Sequence, residues 1–263
     1  MMKPRSLSLL SFPLLLLPLF APTAAALEPA KLQITPSTVE LGTFYGGARM
    51  HVAGMAGAGC KIIVVVRGPS ATEVFNKLGR VGPIWVNTGK VTISAAPSLL
   101  LIFSSEPVNT FLISAAIDQY QLDLGSLKKH MLIETKAPDR DRVADDFLAF
   151  KAHQGTYGII PRSVQMTVPD QGGLPFSVDF EMPRAATPGK YQVSVLECRN
   201  GEVTTKSDVD LEVVEIGFPA LIARLAKERA SLYGIISIII AMVAGFGIDF
   251  LVFHIFRRKV AAH

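Results

Sequence analysis

The chain has 263 residues, 49% hydrophobic and 18% charged, with a formal net charge of +4 and a mean hydropathy of +0.37. Intrinsic disorder, which needs low hydrophobicity and high charge, is excluded. So is a polytopic carrier, because the long apolar runs form one block at each end, around a stretch of ordinary globular composition.

Residues 1–26 read as a secretory signal. Lys3 and Arg5 form a positive n-region, Leu7 to Phe20 an apolar h-region, and Ala21 to Ala26 a small-residue cleavage site that leaves Leu27 as the mature start. Pro13 and Pro18, and an apolar run too short to span, argue against an uncleaved anchor. Removing this segment takes away two of the 26 basic residues and none of the 22 acidic ones, leaving a charge of +2. No Lys/Arg run precedes the extreme C-terminus, so the pI of 9.1 is no nucleic-acid footprint.

Residues 28–105 are expected to form a first β-sandwich domain. Lys61–Arg67 reads K-I-I-V-V-V-R and ends in Gly68-Pro69, as suits a strand buried on both faces. Leu32–Ile34, Met50–Val52, Ile84–Asn87, Lys90–Ser94 and Leu99–Phe103 are further strand candidates between Gly and Pro. Trp85, the only tryptophan, reads as a core anchor of this domain. Residues 106–158 change period. Ile117, Tyr120, Leu124, Leu127 and Met131 recur at spacings of three and four, as do Val143, Phe147 and Phe150, which predicts a connector of amphipathic helices. Asp139-Arg140-Asp141 sits near the start of the second helix, where acidic groups favour the macrodipole. Asp139, Asp141, Asp145 and Asp146 read as its solvated face.

Residues 159–217 return to β and are expected to form a second, Ig-like domain. Phe176, Val178 and Phe180 alternate with polar residues, as do Tyr191, Val193 and Val195, and Asn200-Gly201 signals a hairpin before a strand from Glu202. Thr187-Pro188-Gly189-Lys190-Tyr191 has the form of a tyrosine corner, with the ring inward and the hydroxyl bonded back to the backbone. An ordinary Pro-Gly turn before a core tyrosine is the plainer alternative. The expected fold is therefore mainly β with a helical connector: two Ig-like sandwiches plus one C-terminal transmembrane helix. Two are preferred because each β stretch is continuous and sequential elements usually pack together. Pairing of residues near 61–67 with those near 190–197 would instead show a single sandwich with a helical insertion.

Cys60 and Cys198 both fall in the exported region, where oxidation is permitted. A disulfide would tie the start of the body to its end. Two buried, unpaired thiols beside strands are the alternative, and spacing does not decide between them.

Residues 219–231 form a juxtamembrane helix with Pro219 in its first turn. The span is set at 232–256 and the tail at 257–263. Ser231 to Ile248 is 18 residues without a charge, and roughly 20 apolar residues cross a bilayer core. One helix from 219 to about 258 would be about 60 Å long, and the body would stand on a stalk or rest against a partner's exported face. Arg257, Arg258 and Lys259 fit a cytoplasmic end. Arg224, Lys227 and Arg229 flank the other end equally, so the signal sequence sets the orientation. The expected place is the inner membrane, with the bulk in the periplasm and the C-terminus in the cytoplasm. Ser237, Ala241, Gly245 and Asp249 recur every four residues and form a candidate helix-docking stripe. An acidic group in an apolar span is costly in lipid and looks for a partner, water or a base. The alternative is an Asp249 hydrated at the interface, with incidental small residues.

No H-x-x-x-H, H-E-x-x-H, G-x-S-x-G, Walker A or dinucleotide fingerprint occurs. The expectation is a protein that is not an enzyme, with no cofactor, no metal and no nucleic-acid partner.

Seven segments share a pattern. They are Gly42-Thr43-Phe44-Tyr45-Gly46, Val64-Val65-Val66-Arg67-Gly68-Pro69, Ile84-Trp85-Val86-Asn87, Ser104-Ser105-Glu106-Pro107, Pro188-Gly189-Lys190-Tyr191, Val213-Val214-Glu215-Ile216-Gly217-Phe218 and Leu232-Tyr233-Gly234. In their order and spacing the chain resembles the transmembrane-protein family first described in alphaproteobacteria, Alph_Pro_TM. The resemblance implies a signal peptide, an exported region and one C-terminal span. It also implies encoding near a sulfite-exporter-type permease. That suits an accessory subunit docked on a multi-span membrane protein; a plainly tethered envelope binding or assembly module is the alternative. The helix stripe also permits self-association.

Overall fold

The structure is a computed structural model that describes residues 32–135, 140–168 and 173–260. The signal sequence expected at 1–26, Asp139 and the last three residues of the tail lie outside the described residues. In chain order the elements are β1 (Gln33–Thr35), β2 (Thr38–Leu41), β3 (Ala48–Ala56), β4 (Lys61–Arg67), β5 (Ser70–Val81), β6 (Ile84–Pro97) and β7 (Leu100–Ser104). Helices α1 (Val108–Phe111), α2 (Ser114–Tyr120) and α3 (Leu124–His130) follow, then β8 (Leu132–Thr135) and α4 (Arg140–His153). The chain closes with β9 (Tyr157–Pro161), β10 (Gln165–Met166), β11 (Leu174–Met182), β12 (Gly189–Arg199), β13 (Glu202–Glu215), α5 (Gly217–Glu228) and α6 (Ala230–Val260).

The mainly β class, the helical connector and the apolar C-terminal helix are as expected; the number of sandwiches is not. Lys61–Arg67 pairs antiparallel with Gln192–Cys198, so the first and third β stretches share one sheet. A six-stranded sheet runs β2-β13-β12-β4-β7-β9 and a four-stranded sheet runs β1-β3-β11-β10, each drawing strands from both ends of the body. The division expected at 105 and 159 therefore separates no two cores. The physical reason lies in β4. Ile62 to Val66 are all buried, with Ile62, Val64 and Val66 on one face and Ile63 and Val65 on the other. Such a strand needs neighbours at both edges and cover on both faces, and the first stretch alone does not supply them.

On one face, Val64, Val66, Val193, Val195, Leu211 and Val213 meet Met50, Val52, Phe176, Val178 and Met182 of the four-stranded sheet. Each fully buried Val or Ile contributes about 1.5–3 kcal/mol relative to exposure. On the other face, Leu100, Ile102 and Leu196 pack with Ile117, Leu127, Phe147 and Leu148 of the helices and with Val91 and Ile93 of β6. The expected helix face from Ile117 to Met131 divides in two. Gln121 takes a left-handed conformation that closes α2, and Asp123 caps α3 by accepting the Ser126 N–H at 2.5 Å. The connector also carries β8, which pairs with β6 in a three-stranded sheet, β5-β6-β8.

β4–β5 and β6–β7 form one continuous antiparallel ribbon. Arg67 pairs with Leu100 and Ser70 with Pro97. Between those pairs the ladder is carried by Gly68 N–H to the Leu99 carbonyl and Ser98 N–H to the Pro69 carbonyl, both 2.8 Å. A Cβ at Gly68 would overlap Ser98 Oγ and approach Leu99 N to 2.9 Å and Tyr191 Cε1 to 3.0 Å. The ribbon thus passes directly over Tyr191. The Tyr191 hydroxyl donates to the Thr187 carbonyl at 2.8 Å and accepts the Thr187 N–H at 3.1 Å, so its buried polar tip is satisfied four residues upstream.

Gly68→Ala is expected to destabilise the body by about 1–3 kcal/mol through overpacking against backbone. Tyr191→Phe should cost about 1 kcal/mol through the lost hydrogen bonds. Thermal unfolding of the purified variants checks both.

Candidate functional site

The apolar segment Ala230–Phe253 is 24 residues of α6, long and apolar enough to cross a membrane, and none of it is buried by the rest of the chain. It does not continue the preceding helix as one rod. At Arg229 the backbone leaves helical geometry (φ −138°, ψ 56°), although Arg229 N–H still reaches the Leu225 carbonyl and Tyr233 N–H the Arg229 carbonyl. The expected single helix from 219 is therefore two, α5 and α6, joined at a break. α5 buries no residue, and Phe218 and Leu221 on it are exposed.

Ser237, Ala241, Gly245 and Asp249 lie along one slanting stripe of α6, and all four are exposed. Ser237 Oγ donates to the Tyr233 carbonyl at 2.8 Å, so its hydroxyl is satisfied within the helix. At Gly245, as at Gly234 and Gly247, the space a Cβ would occupy is open, with no atom within 4 Å. The stripe is thus a shallow, uncovered track with a carboxylate near its end.

Trp85 is not in the core; it is 68% exposed. It lies near the tip of the β5–β6 hairpin, opposite Arg80, one step from the Val81–Ile84 pair that flanks the turn. Packing of this hairpin ends at Phe75 and Val91, which face each other in the ladder. Beyond that pair no layer of the described residues lies beneath the hairpin, and Leu78, Val81, Ile84 and Trp85 at its tip are exposed. A Trp in a short alternating run looks the same in a core strand as in a free hairpin. The Gly82-Pro83 turn, with Gly82 at φ 62°, is the signal that could have marked the tip. β5 carries little strand signal in the sequence, because Asn76, Lys77, Gly79 and Arg80 break any apolar alternation in its outer half.

At the hairpin's inner half, Phe75, Val91, Val143, Phe147 and Phe150 line an apolar cleft of about 260 Å³, with Lys77 and Asp146 at its rim. Phe75 meets Phe147 and Phe150 edge-on, with centroids 5.9 and 5.8 Å apart. Beneath it the buried Lys151 ammonium pairs with Glu73 at 2.5 Å and lies 5.5 Å from the Phe147 ring centroid. Tyr157, whose hydroxyl donates to the Pro97 carbonyl at 2.6 Å, has its pKa raised, mainly by burial and then by Glu73.

Cys60 and Cys198 are both buried and unbonded. Cys60 faces the core between the two large sheets and Cys198 the core under the helices. Arg199 donates to Cys60 Sγ at 3.4 Å and to the Ala58 carbonyl at 2.5 Å. Burial pushes the Cys198 thiol up to about 12, with smaller contributions from Cys60 and Glu197. A raised thiol pKa keeps the folded group neutral. Its stabilisation is whole below the ordinary thiol value and is lost as pH rises from there towards about 12. Cys198 should therefore resist alkylation in the native protein at neutral pH. The melting temperature should fall above pH 9, the ordinary thiol value, and less steeply in Cys198→Ala; labelling and melting series check both.

A body of two facing sheets and a helical layer, followed by an uncovered apolar helix, defines a mainly β membrane protein with one candidate span, at the C-terminal end, among the described residues. Residues 30–258 match the family described as "Putative transmembrane protein (Alph_Pro_TM)", and the chain belongs to that family. No curated protein matches the chain.

Proposed function

We propose that the protein is an accessory subunit of a multi-span permease, held by α6 against the permease's own helices, with its β body on the periplasmic side of the inner membrane. The observation that carries this reading is the stripe on α6. Small side chains at Ser237, Ala241 and Gly245 leave room for a second helix backbone, and Asp249 lies at the end of the same stripe. A carboxylate inside an apolar span is costly against lipid, and a facing partner relieves that cost. The family resemblance, which implies encoding near a sulfite-exporter-type permease, makes a permease of that type the partner to test first. Tagged protein extracted in mild detergent should bring a stoichiometric multi-span protein with it. Asp249→Leu or Gly245→Leu should lower that recovery about tenfold, corresponding to about 1.4 kcal/mol of helix contact. Recovery unchanged in both variants overturns the proposal.

The cleft beside Phe75 favours a second reading, an envelope binding or assembly module on a plain tether. Concave, mostly apolar sites with a few polar groups are the usual form of small-molecule pockets. Under this reading an unrelated membrane anchor can replace residues 219–263 without loss of function in a complementation assay, whereas the accessory-subunit reading predicts loss.

A further inference from the structure

We propose that the outer part of the β5–β6 hairpin, residues 76–90, is a lipid-binding wedge that enters the headgroup layer of the bilayer that α6 crosses, and that it prefers anionic lipid. The proposal is independent of any permease partner.

Three observations carry it. The first is the distribution of apolar groups. Val81 and Ile84 face each other across the ladder, and so do Gly79 and Val86, which places Val81, Ile84 and Val86 on one face. Arg80–Trp85 and Leu78–Asn87 pair on the other face. Leu78, Val81, Ile84 and Trp85 are all exposed, so the tip is apolar on both sides. A groove on a protein covers one side of a ribbon. A fluid headgroup layer surrounds both, and an indole favours that layer because it has an apolar ring and a polar N–H.

The second observation is charge. From Val74 to Ser105 there is no Asp or Glu, while Lys77, Arg80 and Lys90 are all on the outer hairpin. A local charge of +3 on so short a segment complements an anionic surface, each basic group near it contributing about 1 kcal/mol.

The third is position. β4 and β13 run in the same direction, because both pair antiparallel with β12. The ribbon leaves the six-stranded sheet past Arg67, and Pro69 lies against Gly189, which pairs with Val213. The hairpin root is thus two residues from the end of β13, level with the point where the chain turns into α5 and goes on to the membrane helix. Tethering by α6 holds the tip close to the bilayer, so even weak insertion is favoured by effective concentration.

The chain contains a single tryptophan, so its fluorescence reports the tip alone. The full-length protein is reconstituted in phosphatidylcholine vesicles, with and without phosphatidylglycerol, and with phosphatidylcholine brominated on its acyl chains. The expected result is a blue-shifted emission that brominated lipid quenches, protected from iodide, with quenching strongest when phosphatidylglycerol is present. K77Q, R80Q and K90Q combined should remove that dependence. Emission typical of a water-exposed indole, open to iodide and indifferent to brominated lipid, overturns the proposal. So does a blue shift that grows with protein density but ignores brominated lipid, which identifies a protein as the occupant. Quenching indifferent to phosphatidylglycerol overturns the preference for anionic lipid.

Discussion

Five consecutive β-branched residues, Ile62 to Val66, have to be buried on both sides at once, and the architecture follows from how that is done. Side chains alternate along a strand, so a run without a polar break needs apolar cover above and below, and its backbone needs partners at both edges. β12 pairs along one edge and β7 along the other. The four-stranded sheet covers one face, and the helices with β6 cover the other. No local segment supplies all four neighbours, so strands from the two ends of the chain interleave in the same sheets. The helical connector is then an insertion laid over one face of a common sheet, rather than a link between two bodies.

The same strand sets the geometry of everything that projects from the body. Its ribbon continues past the end of the six-stranded sheet through Gly68, where a side chain would strike the opposite backbone. The inner half of the extension is covered by α4 through Phe75, Phe147 and the Lys151–Glu73 pair. Its outer half runs free. At the same end of the sheet β13 passes into α5, so the hairpin root and the membrane helix share one pole of the molecule.

Much of the local structure is legible in the sequence, because faces are written in side-chain period. The two-sided burial of β4, the inward set Phe176 and Val178, and the positive-φ turn at Asn200-Gly201 follow from residue type and spacing. So does the uncharged stretch that becomes α6. Neighbours are not written in the same way. A strand that needs an edge partner does not name it, so the pairing of β4 with β12, and with it the single shared core, is absent from any local pattern. Trp85 belongs to the same class, since its place depends on where the layer beneath the ribbon stops. The break at Arg229 has no Gly or Pro within the bend to announce it. For the candidate site, the small-residue stripe with Asp249 is visible as spacing, and its lack of cover only as structure. The cleft beside Phe75 and the buried Lys151 ion pair arise from elements far apart in the chain and leave no local trace.

The pairing of β4 with β12 has a consequence for how the protein is made. A chain emerging from the N-terminal end presents β4 long before β12, more than a hundred residues later, can pair with it. Contacts so remote in sequence are slow to form, and the waiting strand is a strong aggregation template. The last strand of the sheet is followed almost at once by α6, so closure of the core and entry of the helix into the bilayer fall within the same short interval of synthesis. Until the final strands appear, the edge of β4 that β12 takes in the folded body has no partner from its own sheet.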